Sequence, residues 1–165
     1  MSYGKEIYDN FINYCKKAKL NHNTYLRVTL SQNYQTSLDK VAEELYSNVG
    51  LVEIAEHNIS LGEFLNFAQK VKQLCAQFDK TLIIRERLDI AKIVEADGIF
   101  LSNNDIPAKY IYNILPKDII IGSGDLVNNA SDYYLSNSPL EHNITKPCFI
   151  KTKSTDNFEY YTLLK

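Results

Sequence analysis

Two clusters of residues and one solitary histidine have types and spacing that can do chemistry. Arg85-Glu86-Arg87 alternates cation and carboxylate at the end of the apolar run Thr81-Leu82-Ile83-Ile84. Such a group reads first as surface ion pairs, with anion binding as the alternative. Gly122-Ser123-Gly124-Asp125 follows Ile119-Ile120-Ile121 and reads as a short Gly-rich loop, able either to cradle a phosphate on backbone N–H groups or simply to turn the chain. His57 is a lone imidazole that could protonate beside a phosphate, although a solitary surface His is ordinary. Cys15, Cys75 and Cys148 lie far apart, with no Cys-x-x-Cys pair and no His at zinc-ligand spacing, so they read as buried thiols.

Composition narrows the partners. With 18 Lys+Arg against 20 Asp+Glu the net charge is -2, so there is no global cationic field to hold nucleic acid or an anionic membrane. The 12 tyrosines are scattered and are not interleaved with a basic stripe, which argues against stacking on single-stranded nucleic acid. The N-terminal stretch mixes acidic, basic and amide residues, unlike a signal peptide, and no apolar run is long enough to span a membrane. A cytoplasmic location is expected. The N-x-[ST] triplets at Asn58, Asn129 and Asn143 then read as chance matches.

The elements that must position these residues alternate regularly. Ile7, Phe11, Cys15 and Ala18 share a face at helical spacing, predicting an amphipathic helix within residues 1–20. Tyr25 to Leu30 reads as a strand, and Thr36-Ser37 caps a helix through Leu38, Val41 and Leu45. Leu51 to Ala55 is a second strand. Ser60-Leu61-Gly62-Glu63 has the capping-box form, ahead of an apolar stripe from Phe64 to Phe78. Thr81 to Ile84 is a third strand, and Asp89 is the expected N-cap of a short helix from Ile90 to Glu95. Ile99 to Leu101 is a fourth strand, Pro107 opens a helix through Ile114, and Ile119 to Ile121 is a fifth strand. Beyond Gly122 the patterning weakens, and only Tyr133 to Leu135 and Cys148 to Ile150 look like strands. Strand following helix five times implies a parallel sheet in a single domain, either a barrel or a doubly wound sheet.

The segments LVEIAEHNIS, TLIIRERLDIAKIVEADGIFLSNNDIP and DIIIGSG resemble the central strands of thiamine phosphate synthase and its thiazole-tautomerase-like relatives, a TIM-barrel family. The resemblance runs from about Tyr25 to Lys146, leaving 147–165 as a shortened C-terminal end, and is strongest from Leu82 to Pro107. It implies a single α/β domain over 1–165, a TIM-barrel-like parallel β/α barrel abbreviated to about seven strands, with its site at the C-terminal ends of the strands. The family reaction joins hydroxymethylpyrimidine diphosphate to thiazole phosphate with loss of pyrophosphate, and uses magnesium. Carried over by position, the magnesium carboxylates fall on Glu86 and Asp105, and the diphosphate lysine falls on Lys146.

Other positions depart from the family pattern. Its arginine and lysine after the second strand fall on Ala55 and His57, its asparagine after the third on Arg85, and its serine after the fifth on Gly124. Arg85 then stands in for the cation missing at Ala55, so Lys146, Arg85 and His57 form the expected diphosphate-binding set. Each charge-assisted contact to phosphate contributes about 1.5–3 kcal/mol, so losing two weakens binding by orders of magnitude. Barrels of this kind run to about 200 residues or more, and no Gly-rich phosphate loop is visible in CFIKTKSTDNFEYYTLLK. The resemblance therefore implies a divergent synthase-like transferase with weakened or lost activity, taking a small phosphorylated pyrimidine or thiazole ligand, with magnesium if active. The alternative is a non-catalytic binding or assembly protein that keeps the scaffold. An incomplete barrel would leave open strand edges, for which a homodimer is the expected cover.

Overall fold

β-branched and aliphatic runs, each too short for a helix, come together here around a common axis. The computed structural model describes residues 24–31, 34–47, 49–101, 108–111, 114–115, 119–125, 130–135, 148–155 and 157–163. The helix expected within 1–20 lies outside these residues. Strand β1 (Thr24–Leu30), helix α1 (Tyr34–Tyr46), β2 (Leu51–Glu56), α2 (Leu61–Phe78), β3 (Thr81–Arg85), α3 (Leu88–Ile93), β4 (Gly98–Leu101), α4 (Ala108–Ile111) and β5 (Ile120–Asp125) follow the expected alternation. Three strands come next: β6 (Ala130–Leu135), β7 (Cys148–Thr155) and β8 (Phe158–Leu163).

The strands are ordered β1 to β8 around a closed barrel. Neighbours follow one another in one direction, so the doubly wound alternative, which needs a reversal, does not hold. β1 to β5 pair in parallel, while β5·β6, β6·β7, β7·β8 and β8·β1 are antiparallel. The α/β barrel is thus abbreviated in its β/α repeats, which stop at β5, and the last three strands close it as an antiparallel sheet. Four pairings in the chain are therefore antiparallel where the family resemblance implies parallel ones. Length is the physical reason at two of them: a parallel return needs a crossover of a dozen or more residues, whereas β5 and β6 are joined by residues 126–129 and β7 and β8 by residues 156 and 157 alone.

Period two sorts each strand into two faces. Leu26, Val28, Leu30, Val52, Ile54, Leu82, Ile84, Ile99, Leu101 and Ile121 face outward, forming one buried cluster with Val41 and Leu45 of α1, Phe64, Phe67, Ala68, Val71 and Cys75 of α2, and Ile90 of α3. The alternate residues fill the barrel. In register across the sheet, Tyr25 meets Leu51 and Arg27 meets Glu53 between β1 and β2, Ile83 meets Gly98 and Arg85 meets Phe100 between β3 and β4, and Tyr25 meets Tyr161 between β1 and β8. Gly98 has a steric reason to be glycine: a Cβ there would lie 2.5 Å from both the Ile120 carbonyl oxygen and Ile83 Cδ1.

Local signals act as the sequence predicts in most places. Ser60 caps α2, its hydroxyl accepting from the Glu63 N–H at 3.1 Å. Three expectations are corrected. Thr36-Ser37 does not cap α1: the helix starts at Tyr34, and both residues lie in its first turn, with Ser37 buried. Asp89 is not an N-cap: α3 starts at Leu88, and Asp89 sits in its first turn with its carboxylate on Arg87 and on the Ile90 N–H. Gly122 to Asp125 is not a loop but continues β5, because β6 pairs along its whole length. Among the described residues no helix is long and apolar enough to cross a membrane.

Candidate functional site

A cavity of about 210 Å³ opens at the C-terminal ends of β1, β2 and β3, lined by Thr29, Ala55, Glu56, His57, Arg85, Glu86 and Arg87. Adjacent strand ends bring these residues together because parallel strands in register release their loops at the same level. The His57 N–H donates to the Leu30 carbonyl at 2.9 Å and the Glu86 N–H to the Phe100 carbonyl at 2.8 Å, which ties both loops to the neighbouring strand.

The charges at this mouth are unequally neutralised. Arg87 grips Asp89 with two hydrogen bonds, Nη2 to Oδ2 at 2.6 Å and Nε to Oδ1 at 3.1 Å. That bond above all holds the Asp89 carboxyl below its ordinary range. Arg85 is only 12% exposed, and its ion pair, Nε to Glu86 Oε1, is 3.7 Å long, too far for a hydrogen bond. Its guanidinium also lies over the Phe100 ring, 5.4 Å from the centroid. Among the described residues, Arg85 is therefore the cation at this mouth that retains donors for an incoming anion. His57 is exposed beside it, with Nε2 3.3 Å from Asn58 Nδ2. Ala55 adds a methyl group and no charge.

One layer below, the interior is charged as well. Arg27 and Glu53 are 1% and 0% exposed and form a buried ion pair through Arg27 Nε and Glu53 Oε2. Arg27 Nη2 donates to Glu53 Oε1 at 3.2 Å and Nη1 to the Tyr161 hydroxyl at 2.8 Å. Burial pushes the Tyr161 phenol up to about 12, against the lowering effect of Arg27. Lys151 of β7 donates to Glu159 of β8 at 3.0 Å.

The structure thus brings together five residues singled out in the sequence, Ala55, His57, Arg85, Glu86 and Arg87, at one cavity. Asp105 and Lys146 lie outside the described residues. Sequence reasoning missed Thr29, Glu56, Arg27, Glu53 and Phe100. The signal for the ion pair was partial: Arg27 in TYLRVTL and Glu53 in LVEIAE put opposite charges inside otherwise apolar runs, but that they meet follows from the register.

Magnesium keeps several waters and takes one or two carboxylates when phosphate oxygens complete its shell. Glu56 and Glu86 line the cavity, while among the described residues no group of three metal-ligating side chains gathers. This donor set fits an ion that arrives with phosphate oxygens and does not form a complete protein cage.

The family model described as thiamine monophosphate synthase matches residues 25–129. The thiamine-phosphate synthase of Haloarcula marismortui is 34% identical over 88 residues, covering 53% of this chain and 42% of that protein. The thiamine-phosphate synthase of Fusobacterium nucleatum is 37% identical over 83 residues, covering 50% of this chain and 40% of its own length. The match spans less than half the length of these relatives. Among solved structures, the thiamine phosphate pyrophosphorylase from Pyrococcus furiosus superposes with a TM-score of 0.54 at 22% identity, over 64% of this chain and 50% of that one, a likeness of fold. The matched stretch begins in β1 and ends after β5, so it holds every residue that lines the cavity.

Proposed function

Since the chain belongs to the thiamine monophosphate synthase family, we propose that the mouth formed by β1, β2 and β3 binds the diphosphate of a hydroxymethylpyrimidine diphosphate and supports a weakened synthase-type transfer. The observation that carries this reading is Arg85, nearly buried at the end of β3, lining the cavity with no ion pair closer than 3.7 Å among the described residues. In the reaction, the C–O bond between the pyrimidine methylene and the diphosphate breaks with its electron pair going to pyrophosphate, and a C–N bond forms to the thiazole nitrogen. The chain's part is electrostatic. Arg85 donates to the phosphate oxygens, His57 adds a ring donor at the rim, and Lys146 is the further cation that the family pattern supplies.

Glu86 and Asp105 would hold magnesium, whose charge would stabilise the growing negative charge of the leaving group. Weakening follows from Ala55 and His57, where the family pattern has two cations. The protein acts in a soluble compartment, the cytoplasm, on small phosphorylated substrates; closure of the barrel removes the open strand edges for which a homodimer is the expected cover.

The test is calorimetry with pyrophosphate and magnesium, paired with an assay for thiamine phosphate from the two substrates. Wild type is expected to bind and to turn over slowly. Arg85→Ala is expected to weaken pyrophosphate binding about ten- to hundredfold, the value of a charge-assisted contact. Ala55→Arg combined with His57→Lys should raise turnover. A silent calorimeter with wild type, and no product, overturns the reading.

A further inference from the structure

Rings and guanidinium groups form an unbroken stack across the barrel interior. Tyr25 and Tyr161 lie parallel, 4.5 Å apart at 5°. The Arg27 guanidinium comes next, 4.8 Å from the Tyr161 ring centroid and 4.8 Å from that of Phe100. Arg85 follows on the same Phe100 ring, at 5.4 Å, and is the member that reaches the cavity. Phe100 itself is 0% exposed and does not line the cavity.

Two guanidinium groups on one ring would repel each other if both kept their full charge. Glu53 removes that obstacle, because its carboxylate neutralises Arg27. The electron-rich face of Phe100 is thereby left to attract Arg85. Arg85 has a long side chain and a loose ion pair, so Glu86 alone does not fix its direction. The ring supplies the missing constraint from the neighbouring strand, where Phe100 is the register partner of Arg85.

We infer that Phe100 is a positioning residue: it holds the Arg85 guanidinium against the cavity so that an incoming phosphate meets a cation already aimed. The inference rests on the reading of Arg85 as the phosphate contact, and pre-orientation of this kind favours binding by reducing the ordering that must accompany it.

Two measurements separate the claims. In the ligand-free protein, 15N relaxation of the Arg85 Nε–H reads positioning directly. Its order is expected to fall in Phe100→Leu and to hold in Phe100→Tyr, which keeps the ring. Replacing Phe100 with 3,4,5-trifluorophenylalanine keeps the shape and depletes the ring face, so it guards against a variant that fails to fold. It should lower Arg85 order while the melting temperature changes little. Calorimetry with inorganic pyrophosphate and magnesium should then show roughly tenfold weaker binding for the fluorinated protein, and no such dependence in an Arg85→Ala background. Unchanged Arg85 order in both Phe100→Leu and the fluorinated protein overturns the positioning role. Absent pyrophosphate binding in wild type, with the order change intact, overturns the diphosphate reading and leaves Phe100's grip on Arg85 standing.

Discussion

Glu86 has a left-handed backbone, φ 61°, at the rim of the cavity. The Arg87 N–H donates to the Arg85 carbonyl at 2.7 Å around it, the three-residue γ form of turn, which is uncommon for an L residue. Left-handed backbone raises the energy of a non-glycine residue by about 1–2 kcal/mol, and such strain concentrates where ligands bind. Glu86→Gly should therefore raise stability by about 0.5–1 kcal/mol, after the greater freedom of the unfolded chain is subtracted, while weakening magnesium-dependent pyrophosphate binding. Urea unfolding and calorimetry check the two halves, and a variant that is neither steadier nor weaker in binding contradicts the assignment. The sequence exposed Glu86, Arg85 and His57 because each stands just past an apolar run, where charge is conspicuous. Arg27, Glu53 and Phe100 stayed hidden because they lie within such runs, and only a three-dimensional register tells which side of a strand faces the axis.

The parallel strands were legible because helices bury their outer face and the interior buries the other, leaving nearly continuous apolar runs such as Leu82-Ile83-Ile84. The β7–β8 hairpin was not, because antiparallel strands with one wet face mix Lys, Ser and Thr with buried residues. Its anchor to the helical layer is Tyr160 of β8, whose hydroxyl donates to Glu44 Oε1 of α1 at 2.8 Å. Burial first, then this bond, pushes the Tyr160 phenol up to about 12 from an ordinary 10.0. A pKa raised on folding adds stability below the unfolded value and loses it as pH rises through the folded one. Stability should therefore decline between pH 10 and about 12, with a smaller decline in Tyr160→Phe. At neutral pH that variant should be about 1 kcal/mol less stable, a partly exposed bond to a charged group. Urea titrations at neutral and alkaline pH measure both effects, and superimposable curves for the two proteins would rule out the anchor.

The molecule as a whole is organised around a polar axis where most barrels of this size are filled by aliphatic layers. Arg27, Glu53 and Tyr161 join β1, β2 and β8: the ion pair lies within the parallel half, and the hydrogen bond from Arg27 to the Tyr161 hydroxyl spans the point where that half meets the antiparallel closure. Removing one partner of a buried pair strands the other: Arg27→Met should reduce stability by about 3–5 kcal/mol, and adding Glu53→Leu should recover much of that loss. Equilibrium unfolding of the single and double variants decides it, and a single variant as stable as wild type would show the pair to be dispensable.

Closure through β1 and β8 also bears on how the chain is made. Tyr161 returns to Arg27 across 134 positions of sequence. On the ribosome, β1 must wait for its second neighbour while β2 to β7 are synthesised, and among the described residues it is β8 that pairs with that edge. That interval is long in folding terms and leaves one strand edge unpaired, so the nascent barrel is expected to depend on chaperones until β8 has emerged.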